Sequence, residues 1–139
     1  MILVDTNVVS EPLRGAPEPR VSAWLDAQAL ETLYLSAITV AELRFGVQSL
    51  PAGRRRDRLH EDLERQILPM FAGRVLAFDL PASQAYAALM AKARSEGRTI
   101  PVSDGYIAAT AAANGMMVAT RDTAPFEAAG LKTVDPWIA

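Results

Sequence analysis

Short apolar runs alternate along the chain with longer segments in which apolar residues recur at helical spacing. The runs predict buried strands, and the periodic segments predict helices. The predicted strands are residues 2–4, 33–38, 75–78 and 117–120, with a short last strand in LKTVDPW. Because strands that alternate with helices build a parallel sheet covered on both faces, we expect an α/β fold in three layers, α/β/α, with about four to five short central strands.

The helical segments carry recognisable start and stop signals. One helix is predicted to open at Thr39, and an amphipathic surface helix is predicted over residues 54–71, with an apolar face opposite dense charge. Pro81 is expected to open an alanine-rich helix. Ser103 is the expected N-cap of a further helix, which Gly115 is expected to terminate.

The composition is that of one ordinary globular domain, which we expect to span residues 1–139. Half of the residues are hydrophobic and 22% are charged, a balance too apolar for a disordered chain. No apolar run approaches the length of about 20 residues that spans a bilayer. The opening MILVDTN has no basic n-region, so we expect a soluble cytoplasmic protein with no membrane contact.

The residue types that the chain lacks narrow its chemistry. It has no cysteine, which excludes disulfides, thiolate zinc sites and thiol nucleophiles. Its one histidine, His60, excludes a mechanism with two imidazoles. The formal net charge is -2, so affinity for nucleic acid must come from local basic patches or bound cations. A hydrolase with this composition depends on carboxylates, hydroxyls and a metal.

Four acidic residues occupy positions where a parallel α/β fold gathers its ligands. Asp5 and Asp122 directly follow predicted strands, whereas Glu42 and Asp104 lie in the first turns of predicted helices. Because ligands bind beyond the carboxyl ends of parallel strands, we expect these acids to converge on one edge of the sheet. A cluster of carboxylates repels itself unless a cation neutralises it, and oxygen ligands select hard ions such as Mg²⁺ or Mn²⁺.

Each acid also has an ordinary structural explanation. Asp5 can form an Asx-type turn, and Glu42 can complete a capping box with Thr39. Asp104 is favoured in a first turn by the helix dipole, and Asp122 can cap the segment TAPFEAAG. For Asp5 or Glu42 taken alone, the structural explanation is the stronger one. The metal-site hypothesis therefore rests on the four positions together.

The motifs of the chain, taken in order, resemble those of one family. MILVDTNVVSE opens the chain, LSAITVAELRFGV follows in the first third, and SDGYIAATAAANG, VATRD and DPW come late. Together they resemble, over essentially the whole chain, the PIN-domain ribonuclease toxins of bacterial type II toxin–antitoxin pairs. This is the VapC family, and the similarity is greatest to its FitB-like branch. The resemblance implies a single PIN domain with a PIN-like fold.

The resemblance also implies an active site. The family's acids fall on Asp5, Glu42, Asp104 and Asp122, and its hydroxyls beside the metal fall on Thr120 and Thr6. The implied reaction is hydrolysis of RNA phosphodiester bonds by metal-activated water, with Thr120 positioning the water or a phosphate oxygen. Many relatives have Asn after the Thr-Arg pair and Asp three residues later, whereas this chain reads TRDTAPF. That difference leaves open whether Asp122 binds the metal directly or through water.

Two basic features are relevant to an RNA substrate. Arg121 adjoins the predicted site and, with Thr6, is expected to contact the RNA, because a guanidinium binds phosphate through two parallel hydrogen bonds. Residues 54–58 contain four arginines. For that cluster a solvated helix face is the favoured explanation, as it is for most runs of charge.

The resemblance further implies partners. Toxins of this family pair with a small antitoxin that has a ribbon-helix-helix DNA-binding part and a tail that blocks the acidic site. Operator DNA is then an indirect partner through the antitoxin, and a homodimer is expected. Trp24, Phe45, Leu50 and Leu68 are candidates to line a groove for the tail, although apolar residues at helical spacing more often belong to the core.

Two alternatives stay open at this point. A phosphatase of the haloacid dehalogenase type also begins with a strand ending in Asp, but its chemistry needs a second Asp two residues on, where this chain has Asn7. The second alternative is not an enzyme but a regulatory protein. It is a catalytically weak or inactive PIN module that acts as a regulatory subunit of an antitoxin–operator DNA complex. Pro125, which stands at the later acidic position of many relatives, supports it.

Overall fold

The computed structural model describes residues 1–139 and contains one parallel sheet of five short strands. The strands are β1 Ile2–Val4, β2 Leu33–Ser36, β3 Val75–Leu76, β4 Met117–Ala119 and β5 Thr133–Val134. Their order is β3-β2-β1-β4-β5, and every neighbouring pair is parallel. The predicted strands are confirmed, although β2, β3 and β4 end earlier than the apolar runs suggested. Strand β1 is central in the sheet.

Helices cover both faces of this sheet. The α-helices are α1 Thr6–Val9, α2 Pro19–Ala27, α3 Ala37–Gln48, α4 Arg54–Asp62, α5 Leu68–Met70, α6 Leu80–Ser95, α7 Val102–Ala113 and α8 Ala124–Ala128. Two short 3₁₀ turns, Glu11–Leu13 and Leu30–Thr32, lie between them. None of these helices has the length and apolar character required to cross a membrane.

Two apolar clusters, one on each face of the sheet, hold the layers together. Leu3 belongs to the cluster that includes residues of α6 and α7, and Val4 belongs to the cluster that includes residues of α2 and α3. Successive side chains of a strand point to opposite faces, so neighbouring residues of β1 contribute to different clusters. Both side chains are fully buried. The predicted three-layer α/β/α architecture is therefore confirmed.

Helix α3 begins at Ala37, two positions before the predicted start. The Ser36 hydroxyl, at the end of β2, accepts a hydrogen bond from the Thr39 backbone N–H at 3.0 Å and caps the helix. Thr39 consequently lies inside α3. The capping box suggested for Thr39 and Glu42 is wrong, and Glu42 lies beyond the first turn.

Helix α7 also begins earlier than predicted. It starts at Val102, and Pro101 rather than Ser103 occupies the N-cap position. The Ser103 side chain is thereby free for a different contact, described below. At the other end, Gly115 adopts a φ of 64°, a left-handed conformation that glycine takes without strain. The predicted terminator is confirmed.

The predicted amphipathic helix over residues 54–71 is confirmed, but it has three parts. Helices α4 and α5 are joined by a π-helical turn over Leu63–Ile67. Leu63 is buried, Leu59 packs beside it against the same apolar cluster, and Met70 is half exposed. The apolar face therefore covers one side of the sheet, and the charged face remains in solvent.

The contact between α6 and α7 is close at Gly105. A Cβ placed on this glycine would lie 2.9 Å from Met90 Sδ and 3.1 Å from the Tyr86 ring. We expect Gly105→Ala to have a free energy of unfolding about 1–3 kcal/mol below that of Gly46→Ala, because overpacking forces the neighbouring side chains out of their preferred rotamers and offsets the gain in helix propensity. Unfolding in urea measures the change.

Gly46→Ala is the matched control, since no atom lies within 4 Å of a Cβ added at this position of α3. It should raise the free energy of unfolding by up to about 1 kcal/mol, because alanine is the better helix former. An equal gain from both variants would contradict the close packing of α6 on α7.

Candidate active site

Asp5 follows the central strand, where the carboxyl ends of β1 and β4 meet. Its backbone N–H continues the sheet by donating to the Ala119 carbonyl at 2.9 Å, and the residue is only 5% exposed. One carboxylate oxygen accepts from the Thr6 backbone N–H and the other from the Thr120 hydroxyl, both at 2.8 Å. Asp5 thus has a structural role, as the N-cap of α1, but it does not form the expected Asx-type turn, because its side chain accepts from the next residue in the chain.

The Asp5 carboxyl is poorly suited to carry a negative charge on its own. Its pKa is raised to about 6, first by burial and then by the negative charges of Asp104 and Glu42. The hydrogen bonds from Thr120 and Thr6 act in the opposite direction but do not cancel the effect. A positive charge close to Asp5 would therefore stabilise the ionised form.

Glu42 projects from α3 and is held by two hydroxyl groups. Thr6 donates to Oε1 at 2.7 Å, and Ser103 donates to Oε2 at 2.9 Å. The Thr39 hydroxyl lies 3.1 Å from that of Thr6. The two hydrogen bonds to the carboxylate come from α1 and α7, so two other helices fix the orientation of an acid carried by α3.

Asp104 and Asp122 complete the acidic cluster from two other segments. Asp104 lies in the first turn of α7, as predicted, and its pKa is raised by burial and by the charges of Asp122 and Glu42. Asp122 is exposed in the loop after β4. It does not cap α8, whose N-cap is Thr123 and has no side-chain cap bond. The capping role suggested for Asp122 is therefore wrong.

The fold brings Asp104 and Glu42 close enough to raise the pKa of Asp5, and Asp122 and Glu42 close enough to raise the pKa of Asp104, although the four acids come from four separate segments of the chain. No three of them are arranged as ready ligands of a metal ion in this structure. The cluster nevertheless fits a hard divalent cation in two respects, because its donors are all oxygens and its carboxylates repel one another. The fit thus rests on donor type and charge rather than on a preformed coordination geometry.

Thr120 is fully buried at the end of β4, and its hydroxyl is committed to neighbours. It donates to Asp5 Oδ2, lies 3.3 Å from the Asp122 carbonyl oxygen and receives a long contact of 3.5 Å from the Asn7 amide. Its one proton is used by Asp5. Thr120 therefore orients the acid directly and has no free donor for a substrate.

Two residues that sequence reasoning missed support the cluster. Ser103 was interpreted as a helix cap, and its place directly before Asp104 was the available signal. Asn7 is considered in the sequence only as the position where a phosphatase would need Asp, yet its amide nitrogen contacts Thr120 and its oxygen accepts from the Arg121 backbone N–H at 3.3 Å. Asn7 thus ties α1 to the segment after β4.

Arg121 lies beside the cluster without forming an ion pair with it. Its guanidinium carbon sits 4.9 Å from the centre of the Trp137 ring, and the side chain is exposed. A cation over an aromatic ring is held by the electrostatic attraction of the ring face. The DPW motif near the end of the chain therefore fixes the position of the Arg121 side chain through the Trp137 ring.

The four apolar residues considered for a partner groove do not line one common groove. Trp24 and Leu68 pack against the apolar cluster below α2 and α3. Phe45 is 73% exposed, and Leu50 lines a cavity of about 330 Å³ that also reaches Glu42. The core explanation holds for Trp24 and Leu68, and a shared groove made by all four is not observed.

The amino-acid sequence of the chain matches the model of a protein family. The model of the PIN domain matches residues 2–131, nearly the whole chain. The chain therefore belongs to the PIN-domain family. This membership, together with the five-stranded parallel sheet, removes the phosphatase alternative.

Within the family the chain is similar to named toxins. It is 61% identical to VapC ribonuclease Y4jK of Sinorhizobium fredii, over 99% of this chain and 98% of the relative. It is 56% identical to Toxin FitB of Neisseria gonorrhoeae, over 99% of both. The crystal structure of FitAcB from the same organism matches with a TM-score of 0.97 at 55% identity and covers 100% of both chains. The predicted similarity to VapC and to its FitB-like branch is confirmed.

Removing the Asp5 charge should stabilise the protein in the absence of metal. The pKa of Asp5 is about 6 in the fold against an ordinary value of 3.8, so its ionisation costs stability as the pH rises through this interval. In EDTA at pH 7.5 we expect Asp5→Asn to raise the free energy of unfolding by up to about 3 kcal/mol. The gain should shrink as the pH falls from 6 and vanish below pH 3.8, where Asp5 is protonated in both the folded and the unfolded chain. Thermal melts across this pH range measure it.

The control is Asp26→Asn, which removes an exposed charge from α2 and should leave the melting temperature unchanged across the same range. The asparagine at position 5 can still accept from the Thr6 N–H, so the cap of α1 is kept. A loss of stability at pH 7.5 would contradict the conclusion that the Asp5 charge is unfavourable.

Proposed function

We propose that this chain is the ribonuclease toxin of a type II toxin–antitoxin pair, a metal-dependent endoribonuclease that hydrolyses RNA phosphodiester bonds. The observation that carries the proposal is the cluster of mutually repelling carboxylates at the carboxyl ends of the central strands. Its place in a chain 61% identical to a protein named VapC ribonuclease supports RNA as the substrate.

We assign the metal, Mg²⁺ or Mn²⁺, to the four acids. Asp5, Glu42 and Asp104 would hold it, with Asp122 bound directly or through water. When bound, such an ion supplies Lewis-acid stabilisation of phosphate charge and makes water a nucleophile near neutral pH. The donor set agrees with this assignment because carboxylate oxygens prefer these hard ions over softer ones.

The chain's own hydroxyls position the acids in this proposal. Thr120 fixes Asp5, while Thr6 and Ser103 fix the two oxygens of Glu42. We therefore assign Thr120 and Thr6 to positioning rather than to direct contact with RNA. Neighbouring groups that orient metal ligands typically change metal affinity or activity by about 10–100-fold when they are removed.

At the rim of the site, Arg121 is the proposed contact for the RNA backbone. Its stacking on Trp137 orders the guanidinium, and its place directly before Asp122 keeps the residue next to the acidic cluster in the chain. A guanidinium presents two parallel N–H groups to a phosphate, so the contact also fixes orientation. The RNA strand would thus be bound beside the phosphodiester bond that is cut.

We further propose a ribbon-helix-helix antitoxin as the inhibitory partner, with operator DNA reached through it. A structure of FitAB bound to a DNA fragment matches this chain with a TM-score of 0.95 at 55% identity. The gonococcal relative is itself named a toxin. A homodimer and a cytoplasmic location belong to the same proposal, as expected for a toxin that acts on cellular RNA.

A regulatory module without catalytic activity is the second candidate function. One observation favours it: no three acids are arranged as ready metal ligands. The exposed position of Asp122, together with Pro125 at the later acidic position of many relatives, agrees with it. The two candidates differ in whether the chain cuts RNA.

The test is an RNA cleavage assay on the chain purified without antitoxin, with Mg²⁺ or Mn²⁺ added or with EDTA. We expect cleavage only with metal, and a loss of about a hundredfold or more in rate for Asp5→Asn, because this change removes a ligand charge. Asp26→Asn should cleave at the unchanged rate.

The regulatory module would be established instead if the RNA stays intact with every metal while the chain, in complex with its antitoxin, still binds DNA. Cleavage that continues in EDTA, or equally in Asp5→Asn, would contradict the metal-dependent mechanism. The family resemblance suggests that water attacks the phosphorus while the bond to the 3′ oxygen breaks, so the products are expected to carry 5′-phosphate and 3′-hydroxyl ends.

A further inference from the structure

Helix α4 opens with an unusual concentration of positive charge. Arg54, Arg55, Arg56 and Arg58 fall within its first five residues, and Asp57 is the only acid among them. The ion pairs of the protein lie elsewhere and join Arg14 to Glu11, Arg44 to Glu64 and Arg65 to Glu61. The four arginines of α4 therefore carry unpaired charges.

The position of these arginines does not serve the stability of the helix. The N-terminal end of a helix carries partial positive charge, so cations there are repelled and acids are favoured. Gly53, the N-cap, has no side chain to offset this effect. A cluster that opposes the helix dipole and lacks ion-pair partners is better explained by an anion outside the chain.

A groove lies between this cluster and Glu42 of the acidic site. A cavity of about 330 Å³ is lined by Thr6 and Glu42 together with Arg14 and Arg55. A second cavity of about 400 Å³ shares Arg14 and Arg55 with the first and adds Arg58 and the acid Asp62. The shared residues place the two cavities side by side, and together they outline a path from Glu42 to the start of α4.

The walls and floor of this path differ in character. Leu43, Val47 and Leu59 supply an apolar floor in the first cavity. Arg14 shares its charge with the buried Glu11 carboxylate, at 3.0 Å, so the available cations are Arg55 and Arg58. An apolar floor beside free cations suits single-stranded nucleic acid, whose unstacked bases lie on apolar surface while its phosphates meet positive charge.

We propose that Arg55 and Arg58 bind the phosphates of the single-stranded RNA next to the bond that is cut, so that the strand runs along this groove to Glu42. The inference rests on the proposed ribonuclease function, and it names the path of the substrate. A chain of net charge -2 needs local cations to hold a polyanion, and these two arginines supply them. An acidic segment of a partner protein is the competing occupant.

RNA binding as a function of salt tests the proposal directly. Fluorescence anisotropy with an unstructured, labelled RNA of about 12 nucleotides is measured on the Asp5→Asn chain, which leaves the RNA uncut. When Arg55→Ala and Arg58→Ala are both introduced into the Asp5→Asn chain, we expect RNA binding about tenfold weaker than that of Asp5→Asn alone near 0.1 M salt. The slope of log affinity against log salt should fall by about 1.4, because each phosphate contact on a single strand contributes about 0.7.

Two further variants keep the result interpretable. Arg94→Ala with Arg98→Ala removes the same charge from exposed positions that line a separate cavity, and it should change neither the affinity nor the slope. Arg55→Lys with Arg58→Lys retains the charge and should retain the salt slope. The melting temperature of each variant shows that the fold is intact.

The proposal is overturned if the two alanines leave RNA affinity and slope unchanged, and also if they weaken binding no more than the control pair does. Loss of antitoxin binding with RNA binding unchanged would assign the groove to an acidic protein segment instead. Failure of the ribonuclease function is separately visible, because the otherwise unchanged chain would then cut no RNA with any metal.

Discussion

The organisation of this protein depends on a conflict between burial and charge at the end of its central strand. Asp5 is nearly inaccessible, and two further acids face it, so its ionised form is disfavoured. An acid in such a position lowers the stability of the fold when it is charged. Protein sites that retain such a conflict are commonly functional, since the cost is offset only when a ligand of opposite charge binds.

The fold creates this conflict through its strand order. Strand β1 lies between β2 and β4, so the segments that follow these strands meet at one edge of the sheet. Hydroxyl and amide groups then fix the acids within that edge: Thr120 contacts Asp5, and Thr6 and Ser103 contact Glu42. These neutral groups orient carboxylates without cancelling their charge, which leaves the charge available for a cation.

Much of this arrangement was predictable from the sequence, because it follows from periodicity. The apolar runs predicted the strands, and the placement of Asp5 after β1 followed from the run that precedes it. The helix starts were harder to predict from the sequence, since Ser36 and Thr39 are both acceptable caps and only the tertiary structure selects between them. Ser103 shows the same limit, because a serine before an acid is typical of a cap, whereas here it contacts a carboxylate from a distant helix.

We propose that the four acids form one cation site. A titration of Mn²⁺ into the purified chain, followed by the electron paramagnetic resonance signal of the free ion, tests this. We expect saturable binding that Asp5→Asn weakens strongly and that the exposed change Asp26→Asn leaves intact. Binding no stronger in the unaltered chain than in Asp5→Asn would contradict it, because the acidic cluster would then not be a metal site.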